Sequence, residues 1–168
     1  MPYSDPANKD WTIEQILRVP PTTVLDVGAG AGVYADLLRP ALPGMHITAL
    51  EPWQPYIWRF ALLGKYDAVT MRDVRTVDYF DYDLVIFGDV LEHMSKDDAL
   101  AVWDKVSQQA RRAVISIPII HYPQGEEEGN PYEVHVKDDW TTSEVLESFA
   151  GIDNYTEFDV TGVFFASF

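Results

Sequence analysis

The chain of 168 residues has the length of one domain with a single core. Apolar types make up 47% and aromatic types 13% of the residues, which excludes a disordered chain. The sequence has no cysteine, which excludes disulfides, thiolate metal sites and cysteine nucleophiles. Twelve Lys and Arg against 27 Asp and Glu give a net charge of −15, and this argues against nucleic acid as a partner because phosphates would meet a surface of the same sign.

Neither a leader nor a membrane span is predicted from the sequence. Residues 1–5 lack the basic and apolar regions of a signal peptide, and no apolar run approaches the roughly 18 residues that a spanning helix needs. We therefore expect a cytoplasmic protein with a single domain over residues 1–168 and no membrane contact.

Strands and helices are predicted to alternate from the N-terminus onward. Asp10 is a candidate N-cap for a helix within residues 1–20, which ends at Pro20 and Pro21. Pro55 suits the first turn of a later helix, with Gly64 as its C-cap. Strands are predicted at residues 23–27, 45–51, 66–70, 82–87 and 113–117, and helices at residues 33–39 and 55–63 and from Ser95 onward.

The C-terminal third departs from this alternation. Residues 118–140 have no clear period and are rich in Pro, Gly and charge, which is typical of a ligand-binding loop, and we expect them to form a lid. The capping box at residues 141–144 predicts a helix to about Ala150, and two short strands turning near Gly162 end the chain. The predicted fold is α/β, with a doubly wound, mostly parallel seven-stranded sheet, an antiparallel C-terminal strand and helices on both faces.

A glycine-rich turn follows the first predicted strand. Residues 26–32 read Asp-Val-Gly-Ala-Gly-Ala-Gly, and glycines here allow a ligand to approach the backbone at the carboxyl edge of the sheet. A dinucleotide fingerprint fits incompletely, because Val33 stands where the third glycine belongs. A tight turn without a ligand is the remaining alternative.

Three further motifs follow the strands at matching places. Glu51 ends the second strand, Asp73 follows the third, and residues 88–93 (Gly-Asp-Val-Leu-Glu-His) follow the fourth. Together with Asp26, two positions before the first glycine, this order resembles that of the class I S-adenosylmethionine-dependent methyltransferases. The resemblance extends over nearly the whole chain.

The resemblance implies a role for each motif. Glu51 would accept both ribose hydroxyls, Asp73 the adenine amino group, and the backbone amide of Val74 would donate to an adenine ring nitrogen. Asp26 would anchor the ammonium of the methionine moiety. The predicted cofactor-binding residues are Asp26, Gly28, Ala29, Gly30, Gly32, Glu51, Pro52, Trp53, Asp73, Val74 and Asp89. Three of these have alternatives: Glu51 as a strand-end acid, Asp73 as an exposed turn residue, and Trp53 as a residue that packs the helix on the sheet.

The catalytic residues are less well defined by sequence. Residues 89–93 resemble the stretch of quinone O-methyltransferases that lies beside the sulfonium. Methyl transfer is an in-line displacement that needs a base only when the acceptor arrives protonated, and His93 and His135 are the candidates for that base. A structural hydrogen bond is the alternative for each, and for His121.

Two further patterns are set aside. Asn130-Pro131-Tyr132 is similar to a signature of methyltransferases acting on exocyclic amino groups, but that signature follows strand four and this triplet follows strand five. No metal site is predicted, because the spacing of His121, His135 and the acidic residues 126–128 matches no ligand pattern.

The predicted function is transfer of a methyl group from S-adenosylmethionine to an oxygen or nitrogen of a small-molecule acceptor. Residues 118–140 are expected to close over that acceptor, and a homodimer is a second way to cover it. Two alternatives stay open: a regulatory module that binds the cofactor without transfer, and non-methyl chemistry on the same cofactor.

Overall fold

The computed structural model describes residues 6–168, so the expectation for residues 1–5 lies outside the described part of the chain. Seven strands and six α-helices follow one another within it. The strands are β1 (Thr23–Val27), β2 (His46–Leu50), β3 (Ala68–Thr70), β4 (Leu84–Gly88), β5 (Arg112–Pro118), β6 (Ile152–Glu157) and β7 (Thr161–Ser167). The helices are α1 (Lys9–Arg18), α2 (Val33–Leu38), α3 (Gln54–Arg59), α4 (Leu62–Lys65), α5 (Lys96–Gln109) and α6 (Thr142–Ser148).

The strands form one sheet in the order β3-β2-β1-β4-β5-β7-β6. The first five strands pair in parallel, and β7 runs antiparallel to both β5 and β6. The predicted doubly wound sheet with its antiparallel C-terminal strand is therefore confirmed. In this order the carboxyl ends of β1, β2 and β4 are neighbours, which is where ligands of open α/β sheets bind.

Both faces of the central strands are buried, because side chains alternate between two apolar clusters. In β1, Val24 packs into one cluster, whereas Leu25 and Val27 pack into the other. In β4, Ile86 and Phe87 divide in the same way. Because helices cover the sheet on both sides, successive residues of the central strands are apolar.

Two local predictions are wrong. Asn8, and not Asp10, precedes α1, because a short 3-10 helix (Pro6–Asn8) leads directly into it. The helix expected up to Leu63 is divided at Ala61, whose φ of 51° is left-handed, and Gly64 consequently lies inside α4. The predicted C-terminal strand pair is present, and it turns between β6 and β7, close to Gly162, which lies opposite Glu157.

The predicted lid, residues 118–140, is folded back on itself. Apart from a short 3-10 helix (Pro131–Glu133) and one isolated bridge, it has no regular element, yet its backbone is hydrogen bonded. The amide of His135 donates to the carbonyl of Gln124 at 3.0 Å. The amides of Val136 and Lys137 both donate to the carbonyl of Glu92, at 2.8 and 3.0 Å, and this attaches the segment to the end of β4. Within residues 6–168, no helix has the length and apolar character needed to cross a membrane.

Candidate functional site

A cleft that is partly open to solvent lies over the carboxyl ends of β1, β2 and β4. Its walls come from the glycine turn after β1, the ends of β2 and β4, the turn after β3 and the predicted lid, together with Tyr34 of α2 and Tyr56 of α3. The predicted residues among them are Asp26, Gly28, Ala29, Gly30, Glu51, Pro52, Asp73, Val74, Asp89 and His93.

The glycine turn has a backbone shape that other residues rarely adopt. Gly28, Gly30 and Gly32 have φ values of 63°, 50° and 76°. A Cβ on Gly28 would lie 2.8 Å from Cγ2 of Val90, so the strands beside it leave no room for a side chain. The bare backbone of Gly28 and Gly30 is therefore what the cleft presents to a ligand.

Glu51 connects the end of β2 to this turn. Its Oε2 accepts a hydrogen bond from the amide of Gly30 at 2.9 Å, and its Oε1 accepts one from the amide of Trp53 at 2.8 Å. Each carboxylate oxygen has a second lone pair, so both remain able to accept from a ligand hydroxyl. Burial raises the pKa of Glu51 to about 7, although the amides of Trp53 and Gly30 oppose this rise.

Asp26 is a second buried carboxylate at the base of the cleft. Burial raises its pKa to about 7, and a hydrogen bond from the Tyr66 hydroxyl, at 2.5 Å, opposes the rise. The buried ammonium of Lys9 also favours the ionised form, and its Nζ donates to the hydroxyl of Tyr34 at 3.0 Å. Because Lys9 is on α1, the N-terminal helix contributes to the charge balance of the cleft.

The turn after β3 is fixed by Asp73. Its carboxylate accepts from the amide of Arg75 at 2.9 Å and is ion paired with the guanidinium of the same residue. Burial would raise the pKa of Asp73, but the hydrogen bonds from Arg75 outweigh burial and lower it. Val74 follows Asp73 in sequence, and both residues line the cleft.

Asp89 is held in an unusual conformation at the end of β4. Its φ is 58°, a left-handed value for a residue with a side chain, and such strain is concentrated at functional sites. Its Oδ1 accepts from the hydroxyl of Ser116 at 2.9 Å, and that hydroxyl accepts from Nδ2 of Asn8 at 3.0 Å. The N-terminal segment, β5 and the cleft are thereby connected.

His93 and His135 are packed against each other, with ring centroids 4.8 Å apart. His93 lines the cleft, whereas His135 is not one of the residues of the cleft wall. Burial, with a smaller effect from His135, lowers the pKa of His93 to about 4. Burial also lowers the pKa of His135, and its hydrogen bond with the Tyr122 carbonyl opposes this effect. Both imidazoles are therefore neutral at pH 7.

Two of the predicted cofactor residues, Gly32 and Trp53, lie outside the cleft wall. Gly32 is the N-cap of α2, where a Cβ would meet Lys65 at 2.9 Å, and its amide donates to the carbonyl of Ala29 at 2.7 Å. Trp53 is the N-cap of α3, and its amide holds Glu51. Both residues act on the cleft through the backbone of neighbouring residues.

The predicted lid contributes residues to the cleft wall that the sequence analysis did not assign to the site. Asn130 and Tyr132 line the cleft, although the triplet containing them follows β5. Asn130 is buried, and its Oδ1 accepts from the amide of Tyr132 at 3.0 Å. The acidic tip at residues 126–128 is mostly exposed, but Glu128 forms an ion pair with Arg59 of α3.

Sequence comparison and structural comparison give different answers. No protein-family model matches the chain, and no curated protein matches its sequence. Solved structures do match. A protein from Nostoc punctiforme described as an O-methyltransferase has a TM-score of 0.71 and 16% identity, over 94% of this chain and 55% of its own. The N-terminal domain of EvdMO1, crystallised with S-adenosylhomocysteine, has a TM-score of 0.70 and 16% identity, over 98% of this chain and 82% of its own.

A third neighbour was crystallised with 1,6-didemethyltoxoflavin and S-adenosylhomocysteine bound. The 1,6-didemethyltoxoflavin-N1-methyltransferase of Burkholderia thailandensis has a TM-score of 0.69 and 19% identity, over 96% of this chain and 76% of its own. The chain has the fold of the class I S-adenosylmethionine-dependent methyltransferases. It spans about half the length of the Nostoc neighbour, so the methyltransferase fold accounts for nearly all of this chain but not for all of that protein.

Proposed function

We propose that this protein binds S-adenosylmethionine in the cleft and transfers its methyl group to an oxygen or nitrogen of a small molecule. The observation that carries the proposal is the position of Glu51, a buried carboxylate whose two oxygens are oriented by the amides of Gly30 and Trp53. Such a carboxylate suits a pair of vicinal hydroxyls, because each oxygen can accept one of them. The ligands of the structural neighbours support this choice of cofactor.

The cofactor would extend along the sheet edge, with its adenosine toward β3 and its methionine toward β4. Asp73 and Val74 would receive the adenine, Glu51 the ribose, and Asp26 the ammonium group. The backbone of the glycine turn and of Pro52 would border the ribose, and Asp89 would lie near the sulfonium. Gly32, Ala29 and Trp53 would keep the turn and Glu51 in place.

The bound cofactor supplies an electrophilic methyl group on a positively charged sulfur. The task of the protein is then to orient the acceptor in line with that group and to exclude water. His93 lines the cleft close in sequence to Asp89, and we assign this part of the cleft to the acceptor. Tyr132 of the segment 118–140 also lines the cleft. His93 and His135 are neutral at pH 7, so each has one ring nitrogen with a free lone pair. That nitrogen could accept a proton from the acceptor or bind a group that positions the acceptor.

Residues 118–140 would form the cover of the acceptor region. Their backbone is fixed to Glu92, which supports a cover held at its base, and Asn130 and Tyr132 already face the cleft. The small cleft and the net charge of −15 support a small molecule over nucleic acid as the acceptor. A single domain, a cytoplasmic location and a homodimer remain predictions.

Calorimetry with S-adenosylmethionine, S-adenosylhomocysteine and NAD tests the cofactor. The first two are expected to bind with 1:1 stoichiometry and NAD is not, because Val33 interrupts the dinucleotide pattern. Incubation with labelled cofactor and a metabolite extract is then expected to yield S-adenosylhomocysteine and a labelled product. Binding of NAD alone would overturn the proposal, and binding without product would reduce it to a binding module.

Glu51→Ala is expected to weaken S-adenosylmethionine binding about ten- to a hundredfold. The variant loses charge-assisted hydrogen bonds to the ribose, a loss of roughly 1.5–3 kcal/mol. Calorimetry measures the change, with Glu14→Ala as the control because Glu14 is an exposed carboxylate paired with Arg18 on α1. Unchanged affinity in a folded Glu51→Ala protein would place Glu51 outside the binding site.

A further inference from the structure

Two segments that are distant in sequence bring together three side chains of the types that bind metal ions, and one of them, His93, lines the cleft. Glu92 and His93 are in a short 3-10 helix (Leu91–His93) after β4, and His135 comes from the segment 118–140. One ligand atom from each lies within 4.8 Å of the other two. The hydrogen bonds from Val136 and Lys137 to the Glu92 carbonyl fix the two segments in this register.

Glu92 is the first sign that this cluster takes a cation. Its side chain is buried, with 1% exposure, and neither carboxylate oxygen has a hydrogen-bond partner within residues 6–168. A buried carboxylate without a hydrogen-bond partner is costly. A cation bound by this carboxylate would remove that cost.

Each of the two histidines contacts a backbone carbonyl through one of its ring nitrogens. Nδ1 of His93 lies 3.2 Å from the carbonyl oxygen of Val134, and Nδ1 of His135 lies 2.6 Å from that of Tyr122. A carbonyl oxygen only accepts, so each Nδ1 carries the proton and each Nε2 keeps its lone pair. Backbone carbonyls fix the rings and tautomers of zinc-binding histidines in the same way.

We propose that Glu92, His93 and His135 bind a divalent transition-metal ion. Two imidazoles and one carboxylate suit zinc and neighbouring ions better than Mg²⁺, and three protein ligands leave a coordination position open. Two ligands of one zinc ion lie at most about 4 Å apart, so the cluster must contract by about 1 Å on binding. The sequence analysis predicts no such site, because it tests only the spacing of His121, His135 and the acidic residues 126–128. In the fold, Glu92 lies beside His135 instead.

This site would give the proposed transferase a means of holding its acceptor, and this part of the inference rests on the proposed function. His93 lines the cleft next to Asp89, so the open position would face the acceptor region. The acceptor class is then a hydroxyl compound, whose oxygen binds the metal and whose O–H proton is released to solvent because the metal lowers its pKa. That oxygen forms the new C–O bond as the C–S bond of the sulfonium breaks, and neutral S-adenosylhomocysteine leaves.

Calorimetry on the full chain, after removal of metals by a chelator, tests the site with Zn²⁺ and Co²⁺. One equivalent is expected to bind, and the visible spectrum of the Co²⁺ form is expected to show nitrogen ligation. Glu92→Gln and His135→Ala should each weaken binding at least tenfold. His46→Ala is the matched control, since His46 is an exposed histidine 3.9 Å from Asp67. Equal binding by the wild type and both site variants would overturn the site, as would the absence of stoichiometric binding.

The same variants separate this inference from the proposed function. Glu92→Gln is nearly isosteric, and S-adenosylmethionine affinity in both variants is expected to stay within about threefold of wild type, which also shows that they fold. Loss of metal binding with full transfer activity would overturn the acceptor role. Metal binding by a wild type that does not bind S-adenosylmethionine would retain the site and overturn the proposed function.

Discussion

Between about pH 4 and pH 8, the free energy of unfolding of the wild type is expected to fall by about 3 kcal/mol relative to that of Glu51→Gln. The ordinary pKa of a glutamate carboxyl is 4.5, and burial raises that of Glu51 to about 7 in the folded protein. Between these values the folded protein retains a proton that the unfolded chain has released. The stabilisation is therefore fully present below pH 4.5 and is lost as the pH rises through 7.

Urea unfolding followed by tryptophan fluorescence at several pH values measures this difference. Asp26 and Glu133 are the charged groups that interact with Glu51, and both are present in the wild type and the variant, as are the buried histidines. Their own pH dependence therefore largely cancels in the comparison. Parallel stability curves for the two proteins would show that Glu51 ionises at its ordinary pKa.

The proposed cofactor should act on Glu51 in the opposite direction. Ribose hydroxyls donate to the ionised carboxylate, so binding favours the deprotonated form and lowers its pKa. We expect the affinity for S-adenosylmethionine to rise with pH up to about 7 and then to level off, and this part of the pH dependence to be absent in Glu51→Gln. A ligand that touched Glu51 only through apolar atoms would give no such rise.

The sequence was sufficient to predict the succession of strands along the chain and the residues that follow their carboxyl ends. The β-branched run of β1 is buried on both faces, which only a strand within a helix-covered sheet requires. Glu51 directly follows β2, and Asp73 lies in the turn after β3, so the sheet order itself brings them to one edge. Residues whose position follows from strand ends are predictable because parallel strands all end at the same edge.

The sequence was insufficient wherever a contact depends on distant segments. Lys9 directly precedes the predicted N-cap Asp10, and Tyr66 is the start of a predicted strand, yet both act on the buried Asp26. The approach of His135 to Glu92 depends on the path of residues 118–140, which have no periodicity. Local patterns contain no information about such pairs, since packing decides them.

Within that segment, two aromatic residues that look alike in sequence have different surroundings. Trp140 is almost fully buried, with 1% exposure, and its ring packs against Phe149, the C-cap residue of α6, at a centroid distance of 5.4 Å. Tyr132 is 39% exposed and lines the cleft. Trp140 therefore fixes the end of the segment to the core, whereas Tyr132 is available to contact an acceptor.

Trp140→Ala is accordingly expected to lower the free energy of unfolding by about 3–5 kcal/mol, the usual cost of removing a buried aromatic side chain. Tyr132→Ala is expected to change it by less than about 1 kcal/mol, because a partly exposed side chain loses few contacts. Chemical denaturation measures both. Trp58→Ala and Tyr79→Ala are the matched controls, since both side chains are exposed and lie outside the cleft wall.

Activity should be affected in the opposite order. Once an acceptor is identified, Tyr132→Ala is expected to lower kcat/KM about tenfold, equivalent to losing roughly 1.4 kcal/mol of aromatic contact in the transition state. Cofactor affinity should be unchanged, because none of the proposed cofactor contacts involves the side chain of Tyr132. Trp140→Ala, at a temperature where it remains folded, should retain more of its transfer activity than Tyr132→Ala. If Tyr132→Ala loses stability before it loses activity, residues 118–140 stabilise the fold and do not cover the acceptor.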